Sequence, residues 1–163
     1  MSRRGWPAEG GTPQRILFVC TGNICRSPTA EAVMRKIVGE AGLGSEFAID
    51  SAGTGSWHEG EPAQELAVRV AAGHGYEIEG VARRVEPGDL GSYDVIVALD
   101  HSHLRALRDM TLDVESRLKV RLLVPDEDVP DPYGGSEAEF ERTFALIERG
   151  CRELFAELTA APF

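Results

Sequence analysis

Cys20 and Arg26 bracket the string Cys-Thr-Gly-Asn-Ile-Cys-Arg-Ser-Pro at 20–28, which follows directly on the apolar run Ile-Leu-Phe-Val at 16–19. A short loop between a strand and a helix aims successive backbone N–H groups, and the positive end of the helix, at one point. Such a loop attracts a tetrahedral oxyanion. The same field favours a charged sulfur, so Cys20 reads as a nucleophile. Five residues between Cys20 and Arg26 let the loop curl, with the sulfur at its floor and the guanidinium returning to the rim. Arg26 then offers a planar, permanently charged fork to two phosphate oxygens, which a lysine would match only as a point charge. Thr21, Gly22, Asn23, Ile24, Cys25 and Ser27 form the rest of the cradle. Gly22 is expected to take the unusual backbone dihedral of the curl. Asn23 and Ser27 can brace the loop through their side chains, and Ser27 can also donate to the thiolate. Pro28 suits a helix's first turn, where its missing N–H costs nothing. The competing reading is a cysteine buried for packing, which would leave the Gly, Asn, Arg, Ser and Pro around it to coincidence. Zinc fits poorly: Cys20 and Cys25 lack the close cysteine pairs and nearby histidines of a tetrahedral site, so no metal is expected.

These residues need a strand to end at Cys20 and a helix to begin near Arg26. Apolar runs at 16–20, 47–52, 94–99 and 119–124 alternate with segments of helical period. That alternation predicts an α/β fold, a single-domain open parallel four-stranded sheet with helices on both faces, Rossmann-like or flavodoxin-like. Ala30, Val33, Met34, Ile37 and Val38 give the first helix one apolar face, and Gly42 and Gly44 its stop. Leu66, Ala67, Val70 and Ala71 do the same after Pro62, and Leu104 and Leu107 mark a short third helix. The last helix opens on a capping box, Ser136 with Glu139, and carries Phe140, Phe144, Ile147, Cys151, Leu154 and Leu158 on one stripe. In such sheets ligands bind beyond the carboxyl ends of the strands, where Cys20 lies. Ser51 lies at the same end of the second strand. Its hydroxyl either supports the Asn23 side chain or serves only the turn before Gly53.

The chain has 163 residues, of which 42% are hydrophobic, which suits one domain with a substantial core. Residues 1–14, with Arg3, Arg4, Pro7 and Pro13, lack periodicity and read as a loose tail ahead of a domain spanning 15–163. A formal charge of −10 argues against general nucleic-acid or anionic-membrane binding, so any phosphate site must be locally positive. No run is long and apolar enough to span a bilayer, and the first residues lack a signal-peptide core. A cytoplasmic setting is expected, with export lacking a signal peptide left open. Three cysteines cannot make a full disulfide framework, and a nucleophilic sulfur must be free.

The string at 20–28 resembles the signature loop of the low-molecular-weight protein tyrosine phosphatases. Two further matches follow in family order: Asp50-Ser51-Ala52-Gly53-Thr54 at the end of the second strand, and Asp131-Pro132-Tyr133 far downstream. Together they span 15 to about 158, and they look closest to bacterial, actinobacterial-type members. The resemblance implies that Asp131 is the general acid and Tyr133 an aromatic wall of the cleft. Read without it, Asp131-Pro132 before Gly134 and Gly135 is equally a turn signal. Tyr133 and Trp57 would wall a deep slot that admits an aryl phosphate and leaves phosphoserine too short to reach the sulfur.

Phosphate ester cleavage requires an in-line nucleophile, support for three equatorial oxygens and a proton for the leaving oxygen. Cys20 would attack phosphorus while the loop N–H groups and Arg26 hold the oxygens. A protonated Asp131 would neutralise the departing phenolate, then activate the water that hydrolyses a cysteinyl-phosphate. No cofactor is required. The expected substrates are tyrosine-phosphorylated proteins, and a monomer is expected.

Three rival functions share parts of this pattern. Arsenate reductases of this fold pass a disulfide along further cysteines, and residues 76–100 contain none. Phosphoarginine phosphatases of the family place a threonine before the second loop cysteine, where this chain has Ile24. A non-enzymatic phosphate reader has little use for both Cys20 and Asp131. Some positions depart from the family. Gly134 replaces a second tyrosine after Asp131-Pro132, and Gly80 stands where some members place a histidine that supports the loop serine. His74 reads as packed or capping, while His58, His101 and His103 default to surface loops. Cys25 is expected to protect Cys20 through a reversible disulfide, or else only to pack, and Cys151 is expected to be inert.

Overall fold

The structure is a computed structural model and describes residues 12–160. The first eleven residues, where most of the loose-tail reading falls, lie outside the described residues. Gln14, assigned with that tail, is instead the first residue of β1. Four strands, β1 (Gln14–Cys20), β2 (Phe47–Gly53), β3 (Val95–Ala98) and β4 (Val120–Leu122), form one sheet in the order β2-β1-β3-β4, with every pairing parallel. Alternate residues of a strand face opposite ways. Ile16 and Phe18 accordingly join one buried cluster and Leu17 and Val19 another. Because both faces are covered, β1 reads as an unbroken apolar run.

Helix α1 (Arg26–Glu40), α2 (Glu65–Gly73) and the long C-terminal helix, α6 (Glu137–Thr159), cover the first face. Leu90 of α3 (Asp89–Ser92), together with Leu104 and Leu107 of α4 (His101–Met110), covers the second. A short α5 (Val114–Leu118) precedes β4. The two shortest helices, α3 and α5, are absent from the sequence reading, since four or five residues carry too few apolar repeats to register as a period. The chain leaves α1 through Gly42 at φ +75°, and Leu43 N–H returns to Val38 C=O at 2.8 Å, closing the helix end. Ser136 and Glu139 form the expected capping box of α6.

The winding reverses at β1, since β2 lies on one side of it and β3 on the other. The carboxyl ends of β1 and β3 therefore flank a crevice. Cys20 ends β1, Asp100 follows β3 as the N-cap of α4, and Val129 N–H bonds to Leu99 C=O at 2.9 Å, bringing the segment ahead of α6 to the same edge. No helix among the described residues is long and apolar enough to cross a membrane.

Candidate active site

The loop at 20–25 wraps around the Cys20 sulfur, which is 2% exposed. Ser27 Oγ lies 2.9 Å from Cys20 Sγ and the Ser27 backbone N–H donates to it at 3.4 Å. The first turn of α1 holds no acidic residue, so its positive end faces the sulfur unopposed. Asn23 Nδ2 donates to Ser27 Oγ at 2.8 Å and to Ser51 Oγ at 3.0 Å, while its Oδ1 accepts the Arg83 N–H at 2.9 Å. Ser51 Oγ in turn donates to Glu31 Oε1 at 2.6 Å. Ser27 is therefore braced without a histidine at Gly80.

The unusual dihedral sits on Asn23, at φ +57°, and not on Gly22. Asparagine tolerates the left-handed region better than other side chains, and here its two amide ends are fixed on both sides. Gly22 instead supplies clearance, since a Cβ there would stand 3.0 Å from His58 Cδ2. Gly53 is tighter still: its Cβ would meet the Thr21 carbonyl oxygen at 2.5 Å, and a backbone atom cannot rotate away. Gly53→Ala is expected to destabilise the protein by about 1–3 kcal/mol and to weaken phosphate inhibition as the loop shifts. Urea unfolding and inhibition by inorganic phosphate check both.

Arg26 departs from the rim position. It is 4% exposed and forms the inner wall of the cradle, because two acceptors draw it inward. Nη1 donates to Asp100 Oδ2 at 2.8 Å and to the Val129 carbonyl at 2.9 Å. Nη2 lies 3.4 Å from Thr21 Oγ1 and 3.8 Å from Asp131 Oδ2. Burial would raise the Asp100 carboxyl, but hydrogen bonds from Ser102, Arg26 and the His103 backbone outweigh it and hold the group at about 2. Asp100 is thus a fixed anion that orients the guanidinium. The sequence reading passed over it, although an Asp directly after a strand and before a helical segment is an N-cap signal.

His103 is the second residue passed over. It is no surface-loop side chain: it is 1% exposed, with Nε2 2.8 Å from Thr21 Oγ1 and Nδ1 accepting the Asp100 N–H at 3.2 Å. Burial, with Arg26 adding, pulls it down to about 4 against Asp100, Asp131 and Asp128. A base whose folded value lies below its free value of 6.5 binds its proton more readily when unfolded. Its stability contribution is therefore complete above about pH 6.5 and lost as pH falls toward about 4. Between those limits the wild type is expected to lose about 2–3 kcal/mol more than His103→Gln, measured by urea unfolding at each pH.

Of the other two histidines assigned to surface loops, His58 does lie in a loop, while His101 is exposed on a helix. His101 opens α4 and pairs with Asp128 at 2.6 Å, and His58 lines the cleft with Nδ1 3.0 Å from Glu61 Oε1. His74, read as packed or capping, does both: it caps α2 and stacks on Phe144 with ring centroids 4.4 Å apart.

Over the loop opens a cleft of about 110 Å³ whose walls include Cys20, Thr21, Gly22, Ile24, Cys25 and Arg26. Trp57, His58, Asp131 and Tyr133 stand around its mouth. Trp57 and Tyr133 are both largely exposed, with no core to fill. Gly55 permits the Trp57 placement, because a Cβ there would coincide with the indole ring. Asp131 Oδ1 accepts the Tyr133 N–H at 3.1 Å, an Asx turn that holds the carboxylate beside the cleft. Burial, with Cys20 and Asp131 adding, pushes the Cys25 thiol up to about 12. Cys151 is fully buried on α6, where its thiol is raised further by burial and faces the Ala30 carbonyl at 3.7 Å.

An anion cradle at the carboxyl end of β1, in a four-stranded parallel sheet of order β2-β1-β3-β4, defines an α/β protein of the phosphate-loop class. The sequence profile described as low molecular weight phosphotyrosine protein phosphatase matches residues 15–161. A low molecular weight protein-tyrosine-phosphatase of Streptomyces coelicolor is 47% identical over 150 residues, covering 87% of this chain and 92% of that protein. A crystal structure of a protein tyrosine phosphatase from Entamoeba histolytica, with Hepes in its active site, superposes with a TM-score of 0.85 at 36% identity, over 89% of this chain and 96% of that one. The YwlE arginine phosphatase, in a form with a phosphorylated active-site serine, superposes with a TM-score of 0.82 at 29% identity, over 90% of this chain and 97% of that one. The chain belongs to the low molecular weight protein tyrosine phosphatase family.

Proposed function

We propose that the protein hydrolyses phosphotyrosine in proteins, and aryl phosphates generally, through a cysteinyl-phosphate on Cys20. The observation that carries this reading is the convergence at one cleft of Cys20 Sγ, its Ser27 donor at 2.9 Å, the Arg26 guanidinium, and the Asp131 carboxylate 3.8 Å from that guanidinium. The sulfur attacks phosphorus in line, and the loop N–H groups with Arg26 take the equatorial oxygens. Asp131 protonates the leaving phenolate and then, as carboxylate, takes a proton from the attacking water. Ser27 supports the sulfur when it departs from phosphorus in the second step. Trp57 and Tyr133 wall the aryl ring, and a shorter phosphoserine would leave its phosphorus above the sulfur. The same acidic surface and free thiols suit a monomeric cytoplasmic enzyme that acts on tyrosine-phosphorylated proteins in bacterial signalling.

Ile24 lines the cleft where an arginine phosphatase of this fold would need a hydroxyl to orient water, which favours phosphotyrosine over phosphoarginine. Steady-state assay of matched phosphotyrosine, phosphoserine and phosphoarginine peptides tests this. Turnover is expected on the first alone, and a preference for phosphoarginine would overturn the assignment.

Cys25, pushed up to about 12 by burial and by the Cys20 charge, is not the sulfur that attacks phosphorus; its proposed role is to resolve an oxidised Cys20, whose charge no longer opposes it once the sulfenic acid has formed. Peroxide would oxidise Cys20 to a sulfenic acid, and the Cys25 sulfur would displace water to give a disulfide. Activity lost to peroxide should return with dithiothreitol in the wild type. In Cys25→Ala the loss should become irreversible, read by mass spectrometry as sulfinic acid on Cys20.

A further inference from the structure

The phosphatase reading leaves one buried contact of the cradle unused, the pair formed by Thr21 and His103. His103 Nδ1 accepts the Asp100 N–H at 3.2 Å; Asp100 Oδ1, 3.1 Å from the same nitrogen, already takes the Ser102 N–H, the Ser102 hydroxyl and the His103 N–H, so the neutral ring is assigned the tautomer with its proton on Nε2. That proton goes to Thr21 Oγ1 at 2.8 Å. Arg26 Nη2 approaches the same oxygen at 3.4 Å. With both lone pairs of Oγ1 facing donors, the hydroxyl hydrogen of Thr21 has no acceptor among the described residues, and Thr21 lines the cleft.

We propose that His103 is a positioning residue for the anion cradle: by holding Thr21 Oγ1 as an acceptor, it leaves the Thr21 hydroxyl proton to be donated to an oxygen of the bound phosphate. The inference rests on the phosphatase reading for its use in turnover, but phosphate binding alone is enough to judge it. The arrangement has a chemical logic. A lysine or charged histidine here would stand against Arg26, whereas a neutral imidazole donates without adding a second cation. Asp100 serves both sides, its carboxylate taking Arg26 and its backbone N–H setting the histidine tautomer. The two recognition groups, one charged and one neutral, are therefore indexed to a single N-cap residue.

The two side-chain amides separate the functions of His103. In His103→Asn the amide oxygen can still accept the Asp100 N–H, but the side chain stops short of Thr21. In His103→Gln the amide N–H reaches the position of Nε2. Calorimetric titration with inorganic phosphate should show about a tenfold weaker Kd for His103→Asn and for Thr21→Val, as expected for a lost hydrogen bond to a charged group. His103→Gln and Thr21→Ser should recover most of that loss. The His103→Asn/Thr21→Val double variant should bind no worse than Thr21→Val alone, because the two changes remove one donated proton. A merely structural role would lower the melting temperature and leave phosphate Kd in place. Unchanged Kd in Thr21→Val overturns the proposal whether or not the His103 variants fold, and losses that multiply in the double variant overturn it as well. Wild-type phosphate binding without turnover of aryl phosphates would sink the phosphatase reading and leave the His103 assignment standing. Turnover with His103→Asn binding phosphate as tightly as wild type would do the reverse.

Discussion

Cys20→Ser is expected to abolish turnover of aryl phosphates, by on the order of 10⁴-fold or more in kcat, while inorganic phosphate still binds. The loop N–H groups, the end of α1 and Arg26 all favour an anion, but a serine hydroxyl is far harder to ionise than a thiol and far less nucleophilic. Ser27 Oγ, 2.9 Å from the sulfur, can support a thiolate but is too weak a base to activate an alcohol, and among the described residues no histidine hydrogen-bonds to the side chain at position 20. The variant should therefore remain a phosphate binder with no nucleophile. Stopped assays with p-nitrophenyl phosphate and calorimetry with phosphate give the two readings, and retained turnover would remove Cys20 from its role.

Asp131→Asn is expected to lower kcat/KM, which reports the step that expels the aryl group, by about 10²–10⁴-fold for phenyl phosphate and much less for aryl phosphates whose leaving groups need no proton. Asp131 is 54% exposed and is held by the Tyr133 N–H at 3.1 Å, with Arg26 at 3.8 Å. An asparagine oxygen can keep that N–H, so the loop geometry should survive while the transferable proton is lost. A uniform drop in kcat/KM across all leaving groups would show that Asp131 serves binding and not proton transfer.

The cradle was legible because its parts are consecutive. Residues 20–28 carry the proposed nucleophile, the brace, the guanidinium and the helix start in one string, and the strand before them is apolar on both faces. What the string could not show was where the guanidinium turns. Its inward path depends on Asp100 and Val129, which are 74 and 103 residues away in sequence and arrive only through the β1–β3 pairing. His103 was placed on the surface for the same reason, since its partner Thr21 is 82 residues distant. The positive φ fell on Asn23 and not on Gly22 because glycine is only the commonest way to reach it; an asparagine with both amide ends bonded reaches it too. The role proposed for Asp131 rests on the family resemblance, since an Asp-Pro-Tyr-Gly turn by itself carries no catalytic mark.

The central claim is that phosphate passes through the sulfur of Cys20. The direct measurement is rapid acid quench of the enzyme during turnover of a fast-leaving aryl phosphate, followed by peptide mapping. Asp131→Asn, which slows hydrolysis of the intermediate, should raise its level. One phosphoryl group on the peptide containing Cys20, formed at the rate of the aryl alcohol burst and absent in Cys20→Ser, is the expected result. A burst with no phosphoryl group on that peptide, or turnover with direct transfer of phosphate to water at every quench time, would contradict the account.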